Sequence, residues 1–407
     1  MMLRFCSYGF LKNQRYFEPF LWLALLEREM SYAAIGTLVA IRELSTHLLE
    51  IPSGAAADLF GRRRAMIAAF GAYVISFVTF ARAESFVAFA AAMALFGAGE
   101  AFRTGTHKAM IFRWLEIEGR TDEKTRVYGI TRSWSKFGSA LSALIAAMLV
   151  ITSSNYAAVF WWSILPCALN VLNLATYPAA VDPPPNAPRS PGAVWAHVRS
   201  TLLEALRRPA LRRPLIESMG FNGLFHATKD YLQPALLATA TAWLLGSGDM
   251  EVARRILTAA LTGPVYFGLF LAAGFASRGA HRFADWSGGD RPAALRLWSW
   301  LAFTCAAMLA ATWTGLPSIV VTTFVLLHVL DNLWRPILTS WVYSVADSGR
   351  GATVLSVESQ GHRVTTMALA PLLGWMVDCA GSLWPVAATA LAIAVGFRIA
   401  AHFAPRY

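Results

Sequence analysis

Glu100, Arg103 and His107 stand at positions i, i+3 and i+7, and His328, Asp331 and Arg335 occupy the same spacing in the second half of the chain. On a helix those positions share one face, so each triplet presents an acid, a base and an imidazole together. Both triplets lie inside long apolar runs. A charge in hydrocarbon is costly and needs a partner, an aqueous cavity or a function. Other apolar runs carry Arg42, Glu43, His47 and Glu50; Lys108; Arg132 and Lys136; His226, Lys229 and Asp230; and Glu358, His362 and Arg363. A site for greasy molecules needs aromatic walls and one or two carboxylates. Several cations suit an anionic or zwitterionic organic solute better. Glu43, Glu100, Asp331 and Glu358 are the carboxylates available to carry a proton. The candidate solute or proton contacts are therefore Glu43, Glu100, Arg103, His107, Lys136, Lys229, Asp230, His328, Asp331, Arg335, Glu358 and His362.

Plainer roles compete with these. Arg42, Glu43, Lys229 and Asp230 could serve only in structural ion pairs, which buried charges often form. Adjacent residues point away from one another on a helix, so Arg42 with Glu43, and Lys229 with Asp230, are not expected to pair. Arg132 is either a cavity cation or a side chain snorkelling to the headgroups. A lone His is usually a satisfied core residue; His107, His328 and His362 stand out because a carboxylate or Arg lies one turn away.

The elements that must hold these residues follow from composition. Of 407 residues, 56% are apolar and only 14% are charged, against about a quarter charged in soluble chains. Disorder is excluded and a soluble two-domain enzyme disfavoured. Apolar runs near the length needed to cross a bilayer as helix cover 8–27, 34–54, 65–82, 86–110, 128–150 and 157–178, then 213–240, 254–275, 294–313, 317–340, 353–378 and 383–403. The expectation is an all-α membrane protein of twelve transmembrane helices in two pseudo-symmetric six-helix bundles, 1–178 and 213–407, joined by a linker over 179–212. That linker opens on Asp182-Pro183-Pro184-Pro185, which stops a helix, and its middle, around Ala193–Leu206, suits a surface amphipathic helix.

The net charge of +11 points to orientation rather than nucleic acid. Lys and Arg crowd into alternate connections, among them Arg62–Arg64, Arg113 to Arg126, the linker, and Arg278 to Arg296. The opposite connections hold only Arg28, Arg82, Arg254 and Arg255, which places both termini in the cytoplasm. Cys6, Cys167, Cys305 and Cys379 are too scattered for a disulfide framework or a zinc site. No nucleotide-binding loop occurs, so ATP is not the direct energy source. No cofactor or metal is expected, nor a removed signal peptide.

The connection after the second run reads Gly54-Ala-Ala-Ala-Asp58-Leu-Phe-Gly61-Arg62-Arg63-Arg64. It resembles the major facilitator superfamily signature G-x-x-x-D-[RK]-x-G-[RK]-[RK], with Gly54, Asp58, Gly61, Arg62 and Arg63 in place and Leu59 departing from the basic residue. Gly54 would let a neighbouring helix approach closely. Asp58 sits at a helix C-terminus, unfavourable for an anion alone, and needs a positive partner such as the start of the eleventh helix near Thr353 and Ser356. The resemblance implies that this Asp latches the cytoplasmic side, and that the first, fourth, seventh and tenth helices line a central cavity. Gly274, Arg278, Gly279 and Arg282 form a worn echo in the expected connection between helices eight and nine. Asp347 to Thr353 resembles the Arg-Ala-Thr entry to helix eleven with Gly351 inserted. The Gly-Pro pair typical of drug/proton antiporters in the fifth helix is missing, although Gly129 and Gly138 are present.

These residues imply a secondary transporter of the inner membrane, moving a small polar solute by alternating access as a monomer, with protons as coupling ion and export preferred. Drug efflux by proton antiport is one alternative, and a receptor or assembly factor that keeps the fold without flux is another. A polytopic membrane enzyme would need a clustered catalytic set, and none appears.

Overall fold

The computed structural model describes residues 1–104, 106–181, 209–244, 250–345 and 351–403. Among them there is no strand. The helices are α1 (Met2–Lys12), α2 (Leu21–Leu26), α3 (Tyr32–Phe60), α4 (Arg62–Arg82), α5 (Phe86–Arg103), α6 (Thr106–Ile117), α7 (Lys124–Ser153) and α8 (Ala158–Ala175). They continue as α9 (Pro209–Thr228), α10 (Leu232–Trp243), α11 (Met250–Ser287), α12 (Asp290–Trp313), α13 (Pro317–Val345), α14 (Gly351–Ala380) and α15 (Trp384–Phe403). Helix is the form that satisfies every backbone group within its own segment, which an apolar chain in lipid requires. Among the described residues, eight helical stretches are long and apolar enough to cross a membrane. The expected runs that fall short are the ones holding α1 with α2, α3, α9 with α10, and α14.

Breaks separate some expected single helices. The run 8–27 divides into α1 and α2, with Pro19 unable to continue a helix into the second piece and turn-type bonds from Glu18 N to Arg15 O and Phe20 N to Phe17 O. The run 86–110 divides after Arg103, where Thr104 turns extended at φ −62°, ψ 128°. Between α3 and α4 a single residue turns the chain: Gly61 has φ +96°, a conformation that glycine alone adopts readily. Arg62–Arg64 therefore form the first turn of α4 rather than a loop. Likewise α11 runs on to Ser287, so Gly274, Arg278, Gly279 and Arg282 are helical instead of looped.

The chain forms two compact units. The first comprises Met1–Ala24, Ile41–Trp195 and Thr262–Phe267; the second comprises Leu25–Ala40, Ala196–Leu261 and Gly268–Tyr407. The start of α3 thus belongs with the second unit and its remainder with the first.

In the first unit, α4 packs on α5 and α8, and α1 packs on α7 and α8. Hydroxyls stitch α3 to α5: Ser45 Oγ donates to Ala94 O at 2.7 Å, Thr46 Oγ1 to Gly97 O at 3.1 Å and Ser53 Oγ to Ala101 O at 2.9 Å. Small residues and hydroxyls take this role because lipid supplies no hydrophobic drive between helices. The outer face of α8 shows the counterpart, with Trp161, Trp162, Leu165, Leu169 and Leu172 all exposed as a lipid-facing surface should be. Two glycines bring α1 against α7. A Cβ on Gly138 would lie 2.6 Å from Phe10 O, and one on Gly9 would lie 2.8 Å from Thr131 O.

In the second unit, α9 packs on α14 and α13, and α12 on α13 and α15. Its core is aromatic: Phe221 stacks on Trp334 at 4.4 Å and Trp298 on Phe397 at 4.6 Å. Glu217 is tied into that core by Arg213 Nε at 2.7 Å and Trp298 Nε1 at 3.1 Å. The beginning of α3 crosses the end of α14 with backbones in contact, since a Cβ on Gly36 would fall 2.2 Å from Ala370 O and one on Gly374 2.2 Å from Tyr32 O.

Candidate functional site

The α1–α7 crossing leaves a cavity of about 340 Å³ in the first unit. Its wall takes Phe5, Tyr8 and Lys12 from α1 with Asn13 just past its end, Arg103 from the end of α5, His107, Lys108 and Ile111 from α6, and Tyr128, Thr131, Arg132, Ser135, Lys136 and Ser139 from α7. The α7 residues recur every three or four positions, one stripe of that helix. Hydroxyls and long cations alternate along it. Lys108, Arg132 and Lys136 are exposed, and such charges are tolerated at membrane depth where they face water rather than lipid. Lys108 Nζ lies 5.4 Å from the centre of the Phe112 ring and 5.3 Å from that of Tyr128, within cation–π reach. No Asp or Glu occurs among the described lining residues.

Glu100 lies at the edge of this wall, in a network of its own. Arg103 Nη2 donates to Glu100 Oε2 at 2.5 Å, Arg15 Nη2 donates to Oε1 at 2.6 Å, and Tyr73 Oη donates to Oε1 at 2.9 Å. Tyr73 in turn accepts from Arg103 Nε at 3.1 Å. Two guanidiniums thus share one carboxylate. His107, the third member of the triplet, joins an aromatic box instead. Its ring stacks on Tyr8 at 3.6 Å, and Nε2 lies 3.2 Å from Tyr177 Oη. The helix break after Arg103 is the reason, because it interrupts the single face that i, i+3 and i+7 would share.

The second unit gathers a buried polar cluster between α9 and α14. Ser218, Asn222 and His226 are four residues apart on α9; Glu358 and His362 are four apart on α14. Glu358 Oε1 accepts from Ser218 Oγ and from Asn222 Nδ2, both at 2.7 Å, and His362 Nδ1 is 3.8 Å away. The His226 and His362 rings stack at 5.2 Å. Gly223 permits the close approach, with Thr366 Oγ1 donating to its carbonyl at 3.3 Å.

The triplet of α13 is divided. His328 and Asp331 are buried and Arg335 is exposed. His328 Nδ1 lies 2.8 Å from Phe324 O, and its ring meets Phe225 edge-on at 4.9 Å. Two adjacent pairs expected to point apart are in fact joined. Lys229 Nζ donates to Asp230 Oδ1 at 2.7 Å, and Arg42 Nη2 donates to Glu43 Oε1 at 2.9 Å. Lys229–Tyr231 is a 3₁₀ turn, not α-helix, and the flexible Lys and Arg stems let the charged heads fold back across one residue.

The sequence profile of the Major Facilitator Superfamily matches residues 2–359. The chain belongs to the Major Facilitator Superfamily. It is a multi-pass membrane protein with a transporter fold. Among solved structures it is similar to nucleoside transporter NupG, at 12% identity, with 99% of each chain covered and a TM-score of 0.77. It is also similar to a D-xylose-proton symporter, at 13% identity over 97% of this chain and 96% of that one, with a TM-score of 0.66. A third is a bacterial homolog to human lysosomal transporter Spinster in an inward-facing and occupied conformation, at 16% identity over 98% and 96%, with a TM-score of 0.67. No curated protein matches the sequence.

The superfamily signature can be followed only in part. Gly61 makes the α3–α4 turn, and Arg63 Nη1 donates to Tyr177 O at 2.8 Å; Arg62 and Arg63 stand in the first turn of α4. Gly54 is exposed, and among the described residues a Cβ there would meet nothing within 4 Å. The Asp58 side chain lies outside the described residues, as do those of Thr353 and Ser356, the stretch 346–350, and residues 182–208 of the linker.

Sequence reasoning did not single out Tyr73, Ser218 and Asn222, or give Lys12 and Arg15 a role. Lys12 and Arg15 stood out only as an interruption of the first apolar run. The spacing of Ser218, Asn222 and His226 was a usable signal, being one polar stripe at four-residue intervals along the helix.

Proposed function

We propose that this superfamily member is a secondary active transporter of a small polar organic solute, anionic or zwitterionic, working by alternating access of its two six-helix halves, 1–178 and 213–407. The observation that carries this reading is the cation-lined cavity of the first unit, which has no acid among its described lining residues. Its volume sits at the low end for ligand pockets, which suits a small solute. The acid that a lipophilic cation needs beside its aromatic wall is not among the described lining residues.

The Glu358 cluster supports proton coupling. It holds a carboxylate, two imidazoles and hydrogen-bond donors within the second unit. Of the other candidates, Arg103, His107 and Lys136 belong to the cavity wall, and Glu100 positions Arg103. Glu43, Lys229, Asp230, His328, Asp331 and Arg335 remain proposals for the path of solute or proton. Asp58, with Gly54, Gly61, Arg62 and Arg63, is proposed as the cytoplasmic latch. The expected setting is the inner membrane, as a monomer with both termini cytoplasmic, and with export the preferred direction.

The test is flux in proteoliposomes with and without an imposed pH gradient, screened over organic acids, amino-acid derivatives and lipophilic cations. Uptake of an acid or zwitterion, accelerated by the gradient and lost in Asp58→Asn while the variant still inserts, supports the reading. Flux confined to lipophilic cations, or unchanged in Glu100→Gln, Arg103→Ala and Asp331→Asn together, defeats it.

A further inference from the structure

We infer that the cavity of the first unit takes a small organic dianion, a solute with two negative charges and no positive one. The inference rests on the transport reading above and narrows its solute class. Lys12 comes from α1, Lys108 from α6, and Arg132 and Lys136 from α7, so basic side chains from three separate helices converge on about 340 Å³. Arg103 reaches the same wall with its charge only shared, because Glu100 is bonded to both Arg103 and Arg15.

Charge balance then separates the solutes. While the cavity is open, water screens the cations from one another. Closing it around a solute removes that water and strengthens every charge–charge interaction inside. A zwitterion would press its ammonium against a wall of cations, with no acid among the described lining residues to receive it. A monoanion would engage the basic side chains at one end only. A solute with two anionic groups can engage cations arriving from different helices at both of its ends. The small volume limits the body between those groups, and Ile111 with the α7 hydroxyls gives that body mixed apolar and hydrogen-bonding surroundings. A dicarboxylate and a phosphate monoester share this chemistry.

The experiment is equilibrium binding by calorimetry to the purified full-length protein in lipid nanodiscs, at fixed ionic strength. The probes are succinate and its monomethyl ester, phenyl phosphate and its methyl ester, and 4-aminobutyrate as the zwitterion. At least one dianion should bind tenfold or more tightly than its own monoanionic ester, and 4-aminobutyrate should not bind. Which dianion does so separates the carboxylate from the phosphate source. The preference should collapse in Lys12→Gln/Arg132→Gln and persist in Lys12→Arg/Arg132→Lys, with thermal unfolding confirming that both variants are folded. Equal or tighter binding of either monoester or of 4-aminobutyrate overturns the dianion inference and leaves the broader solute reading standing. Binding of none of the five overturns it as well. The broader reading itself is decided separately, by the flux measurements in proteoliposomes described above.

Discussion

Removing the Asp378 carboxylate should unfasten the first turn of α3. The first four amides of a helix have no partner within it, and at this end all four are accounted for. Tyr32 N and Ala33 N each donate to an oxygen of Asp378 at 2.8 Å, Ala34 N donates to Ser31 Oγ at 3.2 Å, and Ile35 N donates to Ser31 O at 3.0 Å. Two of the four therefore depend on a residue 346 positions away. Loss of a capping side chain typically costs about 0.5–2 kcal/mol, and an anion at a helix N-terminus adds about 0.3–1 kcal/mol. Asp378 is exposed, so water replaces part of what is lost, and Asp378→Ala should cost about 1–2 kcal/mol locally. That corresponds to a roughly 5- to 30-fold rise in amide exchange, read by hydrogen–deuterium exchange and mass spectrometry on a peptide covering residues 30–37. Asp378→Asn keeps one acceptor oxygen and no charge, so about half the effect should remain. Exchange in Asp378→Ala within twofold of the parent, in a preparation where Ser31→Ala does accelerate it, would refute the reasoning.

Three further outcomes follow from the packing. Glu100→Gln removes the carboxylate that Arg15 and Arg103 share and should destabilise by about 3 kcal/mol; thermal unfolding should show it, with partial recovery in Glu100→Gln/Arg15→Gln. Gly138→Ala forces a methyl against Phe10 O and should cost about 1–3 kcal/mol, whereas Gly54→Ala, at an open position, should change the unfolding temperature little. Glu358→Gln can still accept from Ser218 and Asn222 but has no proton to carry; acceleration of uptake by a pH gradient should vanish while exchange of labelled for unlabelled solute continues, and gradient-driven uptake at the parent rate would exclude Glu358 as the proton site.

The sequence by itself determined the class of fold and where charge would be found. Long apolar runs punctuated by polar connections have one stable form in a bilayer, and each intramembrane charge stands out against them because hydrocarbon tolerates so few. The signature around Gly54–Arg63 added the family, since it is a local pattern that needs no knowledge of neighbours. Partnership was another matter. Arg15 meets Glu100, Ser218 and Asn222 meet Glu358, and Asp378 caps α3, all across distances in sequence that no periodicity encodes. Lys229 and Asp230 show the limit from the other side: adjacency argued that they diverge, yet a 3₁₀ turn and a flexible stem bring them together. Even the i, i+3, i+7 face of Glu100, Arg103 and His107 dissolved at the break after Arg103. The cation-lined cavity is bounded by two helices that Gly9 and Gly138 bring backbone to backbone. Side-chain chemistry is written residue by residue along the chain, but a cavity is made by the angle and contact of helices, and only tertiary packing sets those.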